Sequence, residues 1–152
     1  MIAPTRFDLL GPLPTGTTLL EASAGTGKTY TIAALATRYI AEGITTIDQM
    51  LMITFGRSAT RELRERVREA LTHARDTLRD GTVSDDAILT YLNAMPPADR
   101  EAAANRLARA VADFDSGTIA TTHTFCSKSL SGLGISADID PGEVFVENIS
   151  EL

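Results

Sequence analysis

The sequence predicts an α/β protein built on a parallel sheet flanked by helices. Three observations predict it. Short apolar runs bounded by turn residues recur at 17–22, 50–55 and 117–122. Stretches with apolar residues at helical spacing lie between them. A glycine-rich turn joins the first run to the first helix, and the resulting order is strand–helix–strand–helix–helix–strand.

Residues 1–17 carry Pro4, Gly11, Pro12, Pro14 and Gly16 and read as an irregular lead-in. The run Thr17-Thr18-Leu19-Leu20-Glu21-Ala22 suits a buried strand. From Lys28 to about 41, Ile32, Leu35, Ala36, Tyr39 and Ile40 mark a helix that Gly43 is placed to end. Met50-Leu51-Met52-Ile53-Thr54-Phe55 is the second strand. Ser58 is the expected cap of a long charged helix reaching Asp80, with Gly81 as its stop. Helix resumes at about 85–95, breaks at Pro96 and Pro97, and continues over 98–114. The helical segment at 82–114 is expected to be an insertion between strands. Residues 117–122 form the third strand, followed by a short helix at about 125–130 and a loop-like tail over 132–152, with one apolar stretch at 144–146.

The bulk numbers restrict function. A chain of 152 residues can bury one core. Its 14 Lys+Arg against 20 Asp+Glu give a net charge of -6, unlike a free-standing nucleic-acid-binding module, so any DNA contact must come from a local patch. The single Cys126 cannot form an internal disulfide or a multi-cysteine metal site, and it is expected to be a small buried residue. No apolar run approaches the roughly 20 residues needed to cross a bilayer, and the N-terminus lacks a signal-like apolar core. A reducing cytoplasm and no membrane association are expected.

The strongest chemistry lies in Ala22-Ser23-Ala24-Gly25-Thr26-Gly27-Lys28-Thr29, between a predicted strand and a predicted helix. Gly25 and Gly27 allow a tight turn whose successive N–H groups face phosphate oxygens, and the positive end of the following helix adds to the attraction. Lys28 can reach the β- and γ-phosphates as a point charge. The Thr29 hydroxyl can ligate Mg²⁺. The pattern departs from the usual one at its first position, where Ala22 stands in place of Gly.

Glu21-Ala22-Ser23-Ala24-Gly25-Thr26-Gly27-Lys28-Thr29 resembles motif I of superfamily 1 DNA helicases of the UvrD/Rep class, and most closely the RecB-type branch, the helicase–nuclease subunits of exodeoxyribonuclease V. Residues 53–67, opening Ile53-Thr54-Phe55-Gly56-Arg57-Ser58, resemble motif Ia and the helix after it. Ile119-Ala120-Thr121-Thr122-His123-Thr124-Phe125-Cys126 resembles motif Ic. Gly56 and Arg57 stand where relatives are expected to have Thr and then Asn or Glu.

The resemblance implies a RecA-like motor domain 1A over 1–131, with the tail leading towards a 1B insertion. It implies ATP and Mg²⁺ at 22–29, single-stranded DNA contacts from Thr54, Phe55, Arg57, Thr122 and His123, and other RecBCD-type subunits as partners. It also implies an ATP-dependent helicase of double-strand-break repair and recombination, an ATP hydrolase and 3'-5' translocase. Read from the residues alone, Phe55 and Phe125 fit either base stacking or a core, and His123 either a DNA contact or a structural role.

Arg57, Arg61, Arg64, Arg66 and Arg68 crowd one stretch, but Glu62, Glu65 and Glu69 interleave, and Leu63, Val67, Ala70 and Leu71 form an apolar stripe. A solvated amphipathic helix is the better reading. Hydrolysis needs a strand ending in Asp-Glu. Asp85-Asp86 follows a poor strand, and Val144-Phe145-Val146-Glu147 offers a lone carboxylate. The Asp-Glu pair, motifs III to VI and a nuclease domain are therefore expected to lie outside these residues, leaving a catalytically incomplete piece that does not unwind DNA alone. Two other readings are a different P-loop enzyme such as a small kinase, which would not account for the Ia and Ic blocks, and a stand-alone non-catalytic nucleotide-binding module acting with a partner.

Overall fold

A computed structural model of the chain describes residues 6–23 and 25–133. Its elements are α1 (Lys28–Ala41), β1 (Leu51–Thr54), α2 (Arg57–Asp80), α3 (Ala87–Asn93), α4 (Pro97–Ala112), β2 (Thr118–Thr121) and α5 (Thr122–Leu133), with short 3-10 turns at Ile47–Gln49 and Phe114–Ser116 before the two strands.

Local chemistry accounts for most of the boundaries. Gly43 follows the α1 C-cap Glu42, and the amides of Gly43 and Ile44 close back on the carbonyls of Ile40 and Tyr39. Gly81 closes α2 in the same way, its amide bonded to the Thr77 carbonyl. Asp86 caps α3, its carboxylate accepting from the Ile88 and Leu89 amides at 2.8 and 3.2 Å. Pro97 opens α4, where its missing N–H costs nothing.

The core is mainly helical. Along α2, Leu63, Val67, Leu71, Ala74 and Leu78 are buried at helical spacing and face α4 and α1. Those helices answer with small residues: Ala33, Ala34 and Ala36 on α1, and Ala103, Ala104 and Ala110 around Leu107 on α4. Small side chains let the axes approach, and Leu71, Leu92 and Leu107 fill the remaining space with no exposed surface. The segment expected as an insertion thus shares the central core, α3 contributing Ile88, Leu89 and Leu92. Phe114 closes one end beneath the guanidinium groups of Arg64 and Arg68, at 5.4 and 4.9 Å from its ring centre.

Among the described residues the sheet has two strands. β1 and β2 run parallel, with Leu51 opposite Thr118 and Thr54 opposite Thr121. The apolar run at 17–22 is not a strand, and Leu19 is 82% exposed. An apolar run becomes a strand only when a neighbour takes up its backbone groups, and neither described strand lies alongside it. Ser58 does not cap α2. Gly56 holds that position and Ser58 is the second residue of the helix. α5 begins at Thr122, three residues earlier than expected, because the Thr121 hydroxyl accepts from the Thr124 amide at 3.1 Å and starts the helix at the strand end. Cys126 is exposed rather than buried, since α5 packs on the strands through one side and its other side faces outward. The tail at 134–152, with Val144-Phe145-Val146-Glu147, lies outside the described residues. No helix among the described residues is long and apolar enough to cross a membrane.

Candidate functional site

The candidate residues lie in the glycine-rich loop before α1 and at the ends of β1 and β2. In the loop, Gly25 and Gly27 have φ of 76 and 83°. A side chain at either would meet no neighbouring atom within 4 Å, so left-handed backbone rather than crowding is what requires glycine there. Gly27 is the N-cap of α1, and no side chain caps that helix. Its first intrahelical bond runs from the Thr31 amide to the Gly27 carbonyl, so the amides of the first turn are left for another acceptor.

The Lys28 ammonium folds back over the loop and donates to the carbonyls of Ala22 and Ser23 at 3.0 and 2.6 Å. The Thr26 hydroxyl donates to the Ser23 carbonyl at 2.7 Å. Ala22, Ser23, Thr26 and Lys28 are exposed and Thr29 is half-buried; Ala24 lies outside the described residues. Positive backbone termini, a lysine and a threonine hydroxyl therefore converge on one open concavity. That donor set would suit a polyphosphate, and the Thr29 hydroxyl is an oxygen donor of the kind a hard cation would accept. Among the described residues no cluster of three or more His, Cys, Asp or Glu side chains is placed to hold a metal by itself.

A cavity of about 680 Å³ adjoins the loop. It is lined by Gly25, Lys28 and Thr29, by Glu62, Arg66 and His73 of α2, and by Ala33, Ala34 and Leu89. Tyr30 and Asp86 close its side, the phenol donating to Asp86 Oδ2 at 2.9 Å. Partial burial, then the hydrogen bond to the carboxylate and its charge, push the Tyr30 phenol up to about 12. Sequence reasoning missed Tyr30 and His73 and weighed Asp86 only as part of an acidic strand. The capping role of Asp86 was visible in its position before an apolar periodic run; its meeting with Tyr30, 56 residues away, was not.

The two strand-end blocks are brought side by side. Thr54 and Thr121 are register partners on neighbouring parallel strands, so residues 55–57 and 122–123 leave the same edge of the sheet. Phe55 is 99% exposed, which removes the core reading for it. Arg57, Thr122 and His123 are exposed too, so His123 is not a buried structural histidine, whereas Phe125 is half-buried. Thr54 differs from these. Its hydroxyl meets that of Thr60 and donates to the Gly56 carbonyl at 3.2 Å, tying it into the turn that starts α2. On α2, Arg66 pairs with Glu69 at 3.4 Å, while Arg64 reaches across to Asp115. The arginine-rich helix therefore combines local pairing with packing over Phe114.

Residues 9–146 match the UvrD/REP helicase N-terminal domain. The chain is 51% identical over 148 residues to the RecBCD enzyme subunit RecB of Mycolicibacterium smegmatis, covering 96% of this chain and 13% of that protein. It is 46% identical over 149 residues to RecB of Mycobacterium tuberculosis, covering 97% and 14% respectively. Against Escherichia coli RecB the identity is 34% over 139 residues, covering 86% and 11%. The chain thus spans only a small part of the length of these relatives. With nine-tenths of its residues inside one family match and relatives at half identity across nearly all of it, the chain belongs to the UvrD/REP helicase N-terminal domain family.

Proposed function

We propose that residues 22–29 form a P-loop that cradles the phosphates of ATP, and that the chain supplies the nucleotide-binding part of a RecA-like, ATP-driven DNA helicase motor. The observation that carries this reading is Lys28 folded over a positive-φ glycine loop at the uncapped start of α1. On binding, the Lys28 ammonium exchanges the Ala22 and Ser23 carbonyls for phosphate oxygens, and the first-turn amides of α1 take the rest of the charge. Thr29 would ligate the Mg²⁺ that neutralises the nucleotide. Asp86, one of the carboxylates lining the adjoining cavity with Glu62 and Glu69, is committed to Tyr30 and to the cap of α3, so no hydrolytic role is assigned to it.

The shared edge carrying Phe55, Arg57, Thr122 and His123 is the proposed single-strand DNA surface. An exposed aromatic ring offers a stacking face, and the helix start and cationic side chain offer phosphate donors. Thr54 contributes by shaping the turn. The relatives are named as subunits of a RecBCD enzyme, and the proposed setting is repair and recombination of DNA double-strand breaks, with other subunits of such an assembly as partners. Titration with a fluorescent ATP analogue tests the central claim. Lys28→Ala should weaken binding by about 10- to 100-fold, the loss of one or two charge-assisted bonds. Equal binding by wild type and variant would end the reading.

A further inference from the structure

Arg38 is the one charged side chain among the described residues that is fully buried, at 2% exposure, and it touches no part of the phosphate loop. Its guanidinium is held by four hydrogen bonds and an ion pair. Nε and one terminal nitrogen bond to Glu42 Oε1 at 2.7 and 2.6 Å, and the latter also reaches the Tyr91 hydroxyl at 3.4 Å. The other terminal nitrogen donates to the carbonyls of Leu9 and Gly11 at 2.7 and 2.8 Å, 29 and 27 residues upstream. The carbon of the guanidinium sits 4.6 Å from the Tyr91 ring centre. Next to it, the Tyr39 hydroxyl donates to the Pro14 carbonyl. Two successive residues of α1 thus grip the lead-in at three backbone carbonyls.

Beyond Pro14 the chain runs exposed through residues 15–23 and enters the loop. At its far end this arm is held by Lys28, through the carbonyls of Ala22 and Ser23. A lysine that turns to a phosphate must release those carbonyls. The grip by Arg38 and Tyr39 then remains as the anchor of the arm.

We propose that Arg38 and Tyr39 are positioning residues for nucleotide binding: they clamp the lead-in against α1, so that the arm entering the phosphate loop stays a closed loop when Lys28 leaves it. This rests on the P-loop reading. A clamped arm has less freedom to lose when the loop orders around a ligand, so the clamp raises affinity without touching the nucleotide. Lysine cannot replace Arg38, because a compact ammonium lacks the planar fork that serves Leu9, Gly11, Glu42 and Tyr91 together.

The test uses the 152-residue chain at a temperature where circular dichroism shows every variant folded. Two quantities are read: affinity for the fluorescent ATP analogue, and amide hydrogen exchange over 9–23. Arg38→Met should weaken binding about tenfold and speed exchange at the hydrogen-bonded amides of Leu10 and Gly11; Tyr39→Phe, which keeps the ring and removes only the hydroxyl, should weaken binding about two- to threefold. If Arg38→Met does not fold, Tyr39→Phe decides. Wild-type affinity together with wild-type exchange in the folded variants overturns the clamp while a Lys28→Ala defect leaves the P-loop standing. Failure of wild type itself to bind the analogue overturns both.

Discussion

The helical layer and the strand-end edge of this molecule are built on opposite rules. In the layer, Val67, Leu71, Leu92 and Leu107 have no exposed surface, and alanines line the helix contacts. At the edge, Phe55 is 99% exposed, and Arg57, Thr122 and His123 are exposed with it, as Lys28 is at the start of α1. Both regions hold apolar residues, so hydrophobicity alone does not separate them. What separates them is whether a second element reaches over to cover the side chain. Fold stability is therefore concentrated in α1, α2, α3 and α4, while the groups proposed to meet ATP and DNA project from ends of those helices and strands.

The largest expected effect is a direct test of that division. Leu107→Ala should lower stability by about 2–5 kcal/mol, because a buried leucine between closely packed helices leaves a cavity that the alanines around it cannot fill. Denaturant unfolding reads it, and a loss below about 1 kcal/mol would mean that the α2–α4 contact is not where the stability resides. Phe55→Ala is the converse. It should leave stability within about 0.5 kcal/mol of wild type yet remove about 1–3 kcal/mol of single-strand DNA affinity, the worth of one stacked base. Fluorescence anisotropy with a labelled oligonucleotide checks the second number. A variant that unfolds early and binds DNA normally would reverse the assignment of Phe55.

A smaller effect is expected where the regions meet. Asp86 caps α3 in the layer and accepts from Tyr30 beside the loop. Asp86→Ala should cost about 0.5–2 kcal/mol through the lost cap, while single-strand affinity is unchanged because the proposed DNA surface is not touched. An equal loss of DNA affinity in that variant would show that the edge depends on α3.

The same division explains what could be read from the sequence. The helices were legible because each carries its own signal: the stripe from Leu63 to Leu78, the stops at Gly43 and Gly81, Pro97 at the start of α4. The strands at 51–54 and 118–121 were legible for the same reason, and so was the pattern of Gly25, Gly27, Lys28 and Thr29. The run at 17–22 misled because an apolar segment states a need for cover, not its fulfilment. Cys126 misled likewise: its residue type favours burial, but one-sided packing of α5 decides exposure. Arg38 was invisible, since its acceptors lie 27 and 29 residues upstream and no periodicity links an arginine to distant carbonyls.

Tyr30 sits at the seam, and its titration supplies the finest test. Its phenol is pushed up to about 12, first by burial and then by the hydrogen bond and charge of Asp86. An unfolded tyrosine titrates near about 10. The folded state therefore holds the proton more tightly. The stabilisation from this contact is fully present below pH of about 10, and it is lost as pH rises through the folded value. The difference in the phenolate ultraviolet band between wild type and Tyr30→Phe should rise later than free tyrosine does. Asp86→Asn removes the charge and leaves the burial, so it should bring that rise only part of the way back. A return all the way would assign the shift to Asp86 alone. A wild-type Tyr30 that titrates like free tyrosine would mean that α3 does not hold the start of α1 in solution, and the two regions would then meet only through the core.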